Sequence, residues 1–267
     1  MEYFFEAWET VAAQIGAKPL MLFFDFDGTL APIVDSPDQA RLSQEMSGLL
    51  TALSENKSCK VAIVSGRGLL DVEQRIDVEN LVYIGNHGLE IEGPGIKHAI
   101  TVEDEYIEAL KAVKFDLQDI ITGYKGAFVE DKFLTLSVHF RLVPLEKIME
   151  LHNKIRAGLL PYCKNNLIKI RSGKMVLEIR PSVFWDKGKA VLWVIDRWQA
   201  IFGGDSAVPL YCGDDATDED AFRLLAGKGI TVVVGAHEDS AAQYYLNSQR
   251  EVGDLLMNII ELKKTLK

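Results

Sequence analysis

Short apolar runs, alternating with helical stretches, constrain this chain more than any other feature. PLMLFFD (19–25) is followed by a polar loop and a helical stretch from about Gln44 to Asn56. CKVAIVSG (59–66) precedes a helical stretch near Leu69 to Arg75, and LVYIGNHG (81–88) comes next. Much later, VPLYCGDD (208–215) precedes a helix from about Asp218 to Leu225, and GITVVVG (229–235) leads into the closing helices. A strand with no polar face is buried on both sides, and strands separated by helices run parallel. The expected fold class is therefore α/β, with a doubly wound parallel-sheet core.

Two regions depart from this pattern. Phe4, Phe5, Trp8, Val11, Ala12 and Ile15 have helical spacing and Gly16 follows, which predicts an N-terminal helix docked on the core rather than a membrane anchor. From about Gly95 to Ser182 the order reads helix, strand, strand, helix, strand, strand. These strands alternate. In TLSVHFR, Thr135, Ser137, His139 and Arg141 are polar, whereas Leu136, Val138 and Phe140 are not. In KMVLEIR, Met175, Leu177 and Ile179 oppose Lys174, Glu178 and Arg180. Such a sheet buries one face against helices and shows the other to solvent or ligand. The expectation is an α+β insertion, 95–182, within a core formed by 1–94 and 183–267. The stretch EGPG (92–95) is the nearest thing to a linker, and hinges are expected near 93–96 and 180–183.

Composition narrows the partners. The net charge of −10 over 267 residues argues against nucleic acid or an anionic membrane surface. No apolar run approaches the ~20 residues that span a bilayer. The opening MEYFFEAWET is acidic and lacks the basic head and apolar middle of a secretory signal. Cys59, Cys163 and Cys212 are scattered, and no Cys or His spacing suggests zinc. A cytoplasmic protein, monomeric or weakly oligomeric, acting on a small molecule is expected. His98, His152 and His237 are read as surface or structural residues.

Ligands of open parallel sheets bind beyond the carboxyl ends of the strands. Asp25 and Asp27 end the first strand, Ser65-Gly66-Arg67 end the second, and Asp214-Asp215 follow LYCG. Lys187, in WDKGKA, opens a helical stretch. If these ends converge, the site gathers at least three carboxylates, a hydroxyl and an ammonium. Like charges about 4 Å apart repel by about 4 kcal/mol at an effective dielectric near 20. With oxygen ligands alone, Mg2+ is the natural compensating cation, and it takes substrate phosphate oxygens as well. Asp25 could then attack phosphorus while Lys187 neutralises the phosphoryl oxygens. Asp27, two residues on, could protonate the leaving oxygen and later take a proton from water. Ser65 and nearby backbone N–H groups would hold the transferring group, with Gly28 and Gly66 permitting close approach. Thr217 reads as a helix N-cap, with Asp220 three residues on.

DFDGTL, SGR, DKG and GDDATDED resemble, in order, the four motifs of the haloacid dehalogenase superfamily of phosphatases. GNHG followed by Glu90, VEDK…VHFR (129–141), GKMVLEIRP (173–181) and YCGDDATDEDAF narrow the resemblance to trehalose-6-phosphate phosphatases. That resemblance implies a Rossmann-like core with an inserted cap domain. It implies Asp25 as nucleophile, Asp27 as acid/base, Ser65 and Lys187 on the phosphate, and Mg2+ held by Asp25, the Asp27 carbonyl and Asp214. Asp215 and Asp218 would support the metal waters and Lys187. Gly66, Arg67, His87, Glu130, Lys132, His139, Arg141, Lys174 and Glu178 become substrate contacts. Asp186 departs from the family, which more often has Asn there. The alternatives are another sugar phosphatase, of sucrose-phosphate or glucosylglycerol-phosphate type, a phosphosugar mutase of the same superfamily, or a metal-dependent glycosyltransferase using Asp-x-Asp. The last explains neither Lys187 nor Ser65. A catalytically dead binding module is at odds with the intact set of Asp25, Asp27, Lys187 and Asp214.

Overall fold

A computed structural model describes residues 1–34, 36–202, 207–235 and 239–265; His237 lies outside them. The strands in chain order are β1 (Glu2–Tyr3), β2 (Leu20–Asp25), β3 (Cys59–Val64), β4 (Val82–Gly85), β5 (Glu90–Gly93), β6 (Ile96–Ala99), β7 (Phe128–Asp131), β8 (Leu136–His139), β9 (Ile168–Gly173), β10 (Val176–Pro181), β11 (Val208–Gly213), β12 (Ile230–Val234) and β13 (Tyr244–Leu246). The helices are α1 (Trp8–Ile15), α2 (Gln44–Ser54), α3 (Leu69–Ile76), α4 (Asp104–Ile121), α5 (Leu145–Lys164), α6 (Lys187–Phe202), α7 (Glu219–Leu225) and α8 (Arg250–Thr265). The chain forms two compact units, Met1–Ala99 with Trp185–Lys267, and Ile100–Phe184.

The first unit carries a sheet in the order β1-β13-β12-β11-β2-β3-β4-β5-β6, parallel except for its last two pairings. Every residue of β2 and β11 is buried. Alternate β2 side chains serve opposite layers. Leu20, Leu22 and Phe24 pack with the apolar faces of α1, α2, α3 and α8. Met21 and Phe23 pack with α6 and α7, where Trp198 and Phe222 are the largest contributors. This two-sided burial is why the strands read as continuous apolar runs. From β2 the chain winds towards β3 and β4, and from β11 it winds the other way, towards β12 and β13. The order therefore reverses between β2 and β11, the position at which doubly wound sheets bind ligands.

The N-terminus differs from expectation. Helix α1 starts at Trp8, and residues 2–3 instead add a parallel edge strand to β13. Phe4 is buried among Phe5, Trp8 and Tyr244, so its apolarity reports a wedge behind that strand rather than a turn of helix. Buried Lys263 of α8 donates through Nζ to the carbonyls of Ile15, Gly16 and Lys18, closing the C-terminal end of α1. Lys263→Ala removes this donor from the Gly16 and Lys18 carbonyls, while the Ile15 carbonyl still accepts from the Lys18 N–H, and should cost about 1–3 kcal/mol. It should show as a lower urea midpoint; an unchanged midpoint would contradict this role.

The second unit is a fully antiparallel sheet, β7-β8-β10-β9, with α4 and α5. Leu136, Val138, Phe140, Leu177 and Ile179 pack with Leu110, Val113 and Leu117 of α4 and Leu151, Ile155 and Leu159 of α5. Glu130, Ser137, Glu178 and Arg171 are neighbours across the four strands. The unit boundaries fall at 99/100 and 184/185, compared with the expected 94/95 and 182/183. EGPG is not a linker: Gly93 pairs with Ile96 in the β5–β6 hairpin. Arg180 and Pro181 likewise pair with Lys169 and Ile168. Both expected hinge segments thus include residues held in paired strands. No helix among the described residues is long and apolar enough to cross a membrane.

Candidate active site

Asp25 is in register with Val64 of β3, and its neighbour Phe24 with Cys212 of β11, so three strand ends lie level at the switch point. Lys187, the first residue of α6, is buried there. Its Nζ donates to Asp25 Oδ1 at 2.7 Å and to Asp218 Oδ1 at 2.8 Å. Asp218 Oδ1 also accepts from the Tyr211 hydroxyl at 2.7 Å. Asp218 Oδ2 accepts from the backbone N–H of Asp214 at 2.9 Å and of Asp215 at 3.0 Å. Asp218 is thereby the keystone of the 214–218 loop, and four bonds occupy its two oxygens. The expected Thr217 cap is not formed: α7 begins at Glu219, and the Thr217 N–H and Oγ1 both donate to Asp215 Oδ1 at 2.7 Å. Asp186 does cap α6, accepting from the Lys189 N–H at 2.9 Å, a task that Asn performs equally well.

Burial pushes the Asp25 carboxyl well above the ordinary range; Lys187 opposes that, and Asp218, Asp214 and Asp215 add to it. Burial pulls on Lys187 in the opposite direction, but the charges of Asp218 and Asp25 outweigh it and hold the ammonium protonated. Asp25, Asp214 and Asp218 place buried carboxylate oxygens within 4.8 Å of one another. One ammonium cannot balance these carboxylates, and the donors are all oxygen, a set that fits a hard divalent cation. The approach of the loop to Asp214 is also close. Gly28 has φ +97°, and a Cβ there would lie 2.2 Å from Asp214 Oδ2, so a side chain there would strain the backbone and push the Asp214 carboxylate aside. Because Asp218 is fully engaged by hydrogen bonds, Asp25 and Asp214 are the carboxylates suited to the ion, with Asp218 as their support.

Ser65 is buried at the end of β3, its Oγ accepting from the Arg67 N–H at 3.1 Å. His87 is buried over Gly66, where a Cβ would meet its ring at 2.2 Å. Asn86 and His87 both have left-handed backbones, with φ 48° and 57°. Backbone bonds from Asn86 N to Arg67 O and from His87 N to Ser65 O hold this strained turn against the 65–67 loop. The Arg67 guanidinium, expected among the substrate contacts, is engaged by protein groups in this structure. Nε and Nη2 donate to the two oxygens of Asp27, each at 2.7 Å; Nη1 reaches Asp71 at 3.0 Å and Nη2 the Pro37 carbonyl at 2.9 Å. The physical reason is burial: a guanidinium removed from water takes the nearest carboxylates. Asp71, Arg75 and Tyr211 are site neighbours that the sequence reading missed. Asp71 follows Arg67 by four residues and precedes Arg75 by four, a helical charge spacing that was available to be read. Tyr211, inside an apolar strand, gave no such signal.

In the second unit, Glu130 Oε2 lies 2.7 Å from His139 Nε2 and 3.8 Å from Lys132 Nζ. The Phe128 ring stacks on His139 at 4.6 Å. Glu178, the partner of Ser137 on the neighbouring strand β10, is bonded by Arg180. Arg141 lies past the end of β8 and donates to the Lys174 carbonyl at 3.1 Å, while the Lys174 side chain is exposed. Glu130, Lys132 and His139 therefore form one cluster with Glu178 nearby, whereas Arg141 and Lys174 meet at the sheet's end.

Against this geometry, the comparisons are specific. The model of the trehalose-phosphatase family matches residues 23–250. The chain belongs to the trehalose-phosphatase family. The trehalose-phosphate phosphatase of Mycobacterium tuberculosis is 36% identical over 244 residues, covering 89% of this chain and 60% of its own length. A protein of Oryza sativa subsp. japonica named "Probable trehalose-phosphate phosphatase 4" is 35% identical over 263 residues, covering 96% of this chain and 70% of its own length. This chain thus spans under two thirds of the mycobacterial relative. The C-terminal domain of trehalose-6-phosphate phosphatase from Candida albicans has the same fold, with a TM-score of 0.79 at 23% identity, covering 91% of this chain and 92% of that one.

Proposed function

We propose that this protein hydrolyses trehalose 6-phosphate to trehalose and phosphate through an aspartyl-phosphate on Asp25. The observation that carries the reading is the buried Asp25–Lys187–Asp218 arrangement at the switch point of a trehalose-phosphatase fold. An Asp25 oxygen attacks phosphorus as the bond to the sugar oxygen breaks, and Asp27 gives that oxygen its proton. Water then attacks the same phosphorus, Asp27 takes the water's proton, and the Asp25 carboxylate departs unchanged. Lys187 and Ser65 hold the phosphoryl oxygens. Asp25, the Asp27 carbonyl and Asp214 would hold a Mg2+, supported by Asp215 and Asp218; when bound, the ion neutralises phosphoryl charge. Gly66 lets that loop approach closely, with His87 packed on it. Glu130, Lys132, His139, Arg141, Lys174 and Glu178 are proposed to bind the sugar. We place it in the cytoplasm as a monomer or weak oligomer.

A phosphate-release panel of sugar phosphates with Mg2+ should show trehalose 6-phosphate as the best substrate, and EDTA should stop turnover until Mg2+ is restored. Preference for sucrose 6-phosphate or glucosylglycerol phosphate would replace the substrate assignment. Glu178→Ala should raise KM for trehalose 6-phosphate about 10–100-fold, as expected for loss of a charged hydrogen bond. Its kcat/KM for p-nitrophenyl phosphate, which has no sugar, should change by less than about threefold. Equal losses on both substrates would remove Glu178 from sugar recognition.

A further inference from the structure

We propose that Trp185 is a positioning residue whose indole N–H holds the turn that seats His87 over the 65–67 loop. The inference deepens, and rests on, the reading of that loop as the phosphate-binding one and of His87 as a substrate contact. Asn86 and His87 are the only adjacent non-glycine residues with left-handed backbones among the described residues, and Gly88 follows with φ +103°. Such backbones are strained and persist only where their surroundings fix them. The first half of this turn is fixed by the 65–67 loop, through the Asn86 N–H on the Arg67 carbonyl and the His87 N–H on the Ser65 carbonyl. The second half is fixed by a different element. Trp185 Nε1 donates to the Gly88 carbonyl at 2.7 Å. A Cβ on Gly88 would lie 2.8 Å from the Asp186 carbonyl oxygen and 2.9 Å from the Ala190 Cβ, so the turn also packs directly on the start of α6.

Trp185 is itself held in place. Its ring lies 5.9 Å from that of His98 on β6, tilted by 60°, and His98 stacks on Trp193 of α6 at 4.5 Å and 13°. The Arg197 guanidinium sits 3.2 Å over the Trp193 ring. With His98 stacked on one face of Trp193, that cation takes the other. The indole of Trp185 is thus braced by β6 and α6 together, and its N–H is a fixed donor. Trp185 also precedes Lys187 by two residues, so one helix start presents Lys187 to the site and ties down the His87 turn. The turn has little slack to give. The His87 ring covers Gly66 so closely that a Cβ there would meet Cε1 at 2.2 Å. Without the indole donor the Gly88 carbonyl lets go of α6, and the strained turn relaxes and carries the ring off the loop. Trp185 acts on the substrate through His87 and touches no reacting atom.

The test is a double-mutant cycle between positions 185 and 87, read as kcat and KM for the phosphate ester that the wild type hydrolyses best. Trp185→Phe keeps a ring against His98 and removes the donor. His87→Asn removes the imidazole, and Asn tolerates the left-handed backbone. Trp185→Phe should raise KM about threefold to tenfold with kcat within about twofold, and His87→Asn should raise KM about tenfold or more. In the His87→Asn background, Trp185→Phe should change KM by less than about twofold. Its effect on the thermal midpoint should be the same in both backgrounds, so lost stability cannot imitate this coupling. Site-specific replacement of Trp185 by its benzothienyl isostere, with sulfur in place of the indole N–H, should give the same KM rise, and it serves if the Phe variant does not fold. A KM rise that persists undiminished with His87→Asn would make Trp185 a packing residue and overturn the proposal. A fall in kcat with KM unchanged would route its effect through Lys187 and overturn it equally, as would wild-type kinetics in either single variant. A wild type inactive on trehalose 6-phosphate but active on another ester overturns the substrate assignment alone, and the cycle still reads the turn.

Discussion

Asp25→Asn should reduce steady-state turnover by about 10^4-fold or more while leaving the protein folded. An amide oxygen does not attack phosphorus at a useful rate, so the loss falls on kcat. Stability should hold for a reason visible in the site. Asp25 is buried beside Asp214 and Asp218, and burial already pushes its carboxyl towards the neutral form. Asn is neutral without a proton, and its amide oxygen can still accept from Lys187 Nζ. Removing one of several crowded negative charges also relieves repulsion. A thermal midpoint equal to or above the parent's, with turnover lost, is the expected pair of results. Turnover within about tenfold of the parent would remove Asp25 as nucleophile.

Lys187→Met should act on folding and catalysis together. Lys187 Nζ bridges Asp25 and Asp218 in a fully buried setting. Without it, two carboxylates stay buried with no cation between them, at a cost of about 3–5 kcal/mol. The urea midpoint should fall, and turnover should drop about 10^2–10^3-fold through lost stabilisation of the phosphoryl oxygens. Added Mg2+ should return part of the stability, because an ion that binds only the folded site supplies some of the missing positive charge. A variant as stable as the parent without added metal would show that the pair does not hold the loops together.

Why some of this was legible in the sequence and some was not follows from where each signal lies. Strands buried on both faces are apolar at nearly every position, so β2, β3, β11 and β12 announced themselves. Asp25 and Asp214 stand at the ends of such strands and Lys187 opens a helix; each alone reads as an ordinary surface residue, and it was their joint occurrence that pointed to one site, where Asp25 does meet Lys187 and Asp214. The N-terminal strand was hidden because two residues are too short for a period to show, and their pairing with β13 spans over 240 positions. The 92–95 turn looked like a linker because Gly and Pro mark a hairpin turn and a linker alike. Thr217 was misread because its hydroxyl donates to Asp215, a choice set by the loop rather than by the motif. The partners of Arg67 were hidden for a related reason: its sequence neighbours show that a cation is present, but only the fold shows that Asp27 and Asp71 pair with it.

The most direct measurement is acid-quenched mass spectrometry of the enzyme mixed with trehalose 6-phosphate and Mg2+ on the single-turnover timescale. A transient phosphoryl group on the peptide containing Asp25, absent with EDTA and absent from Asp25→Asn, is the result expected here. Release of phosphate from trehalose 6-phosphate with no label at Asp25 at any time, or undiminished release by the Asp25→Asn variant, would contradict it.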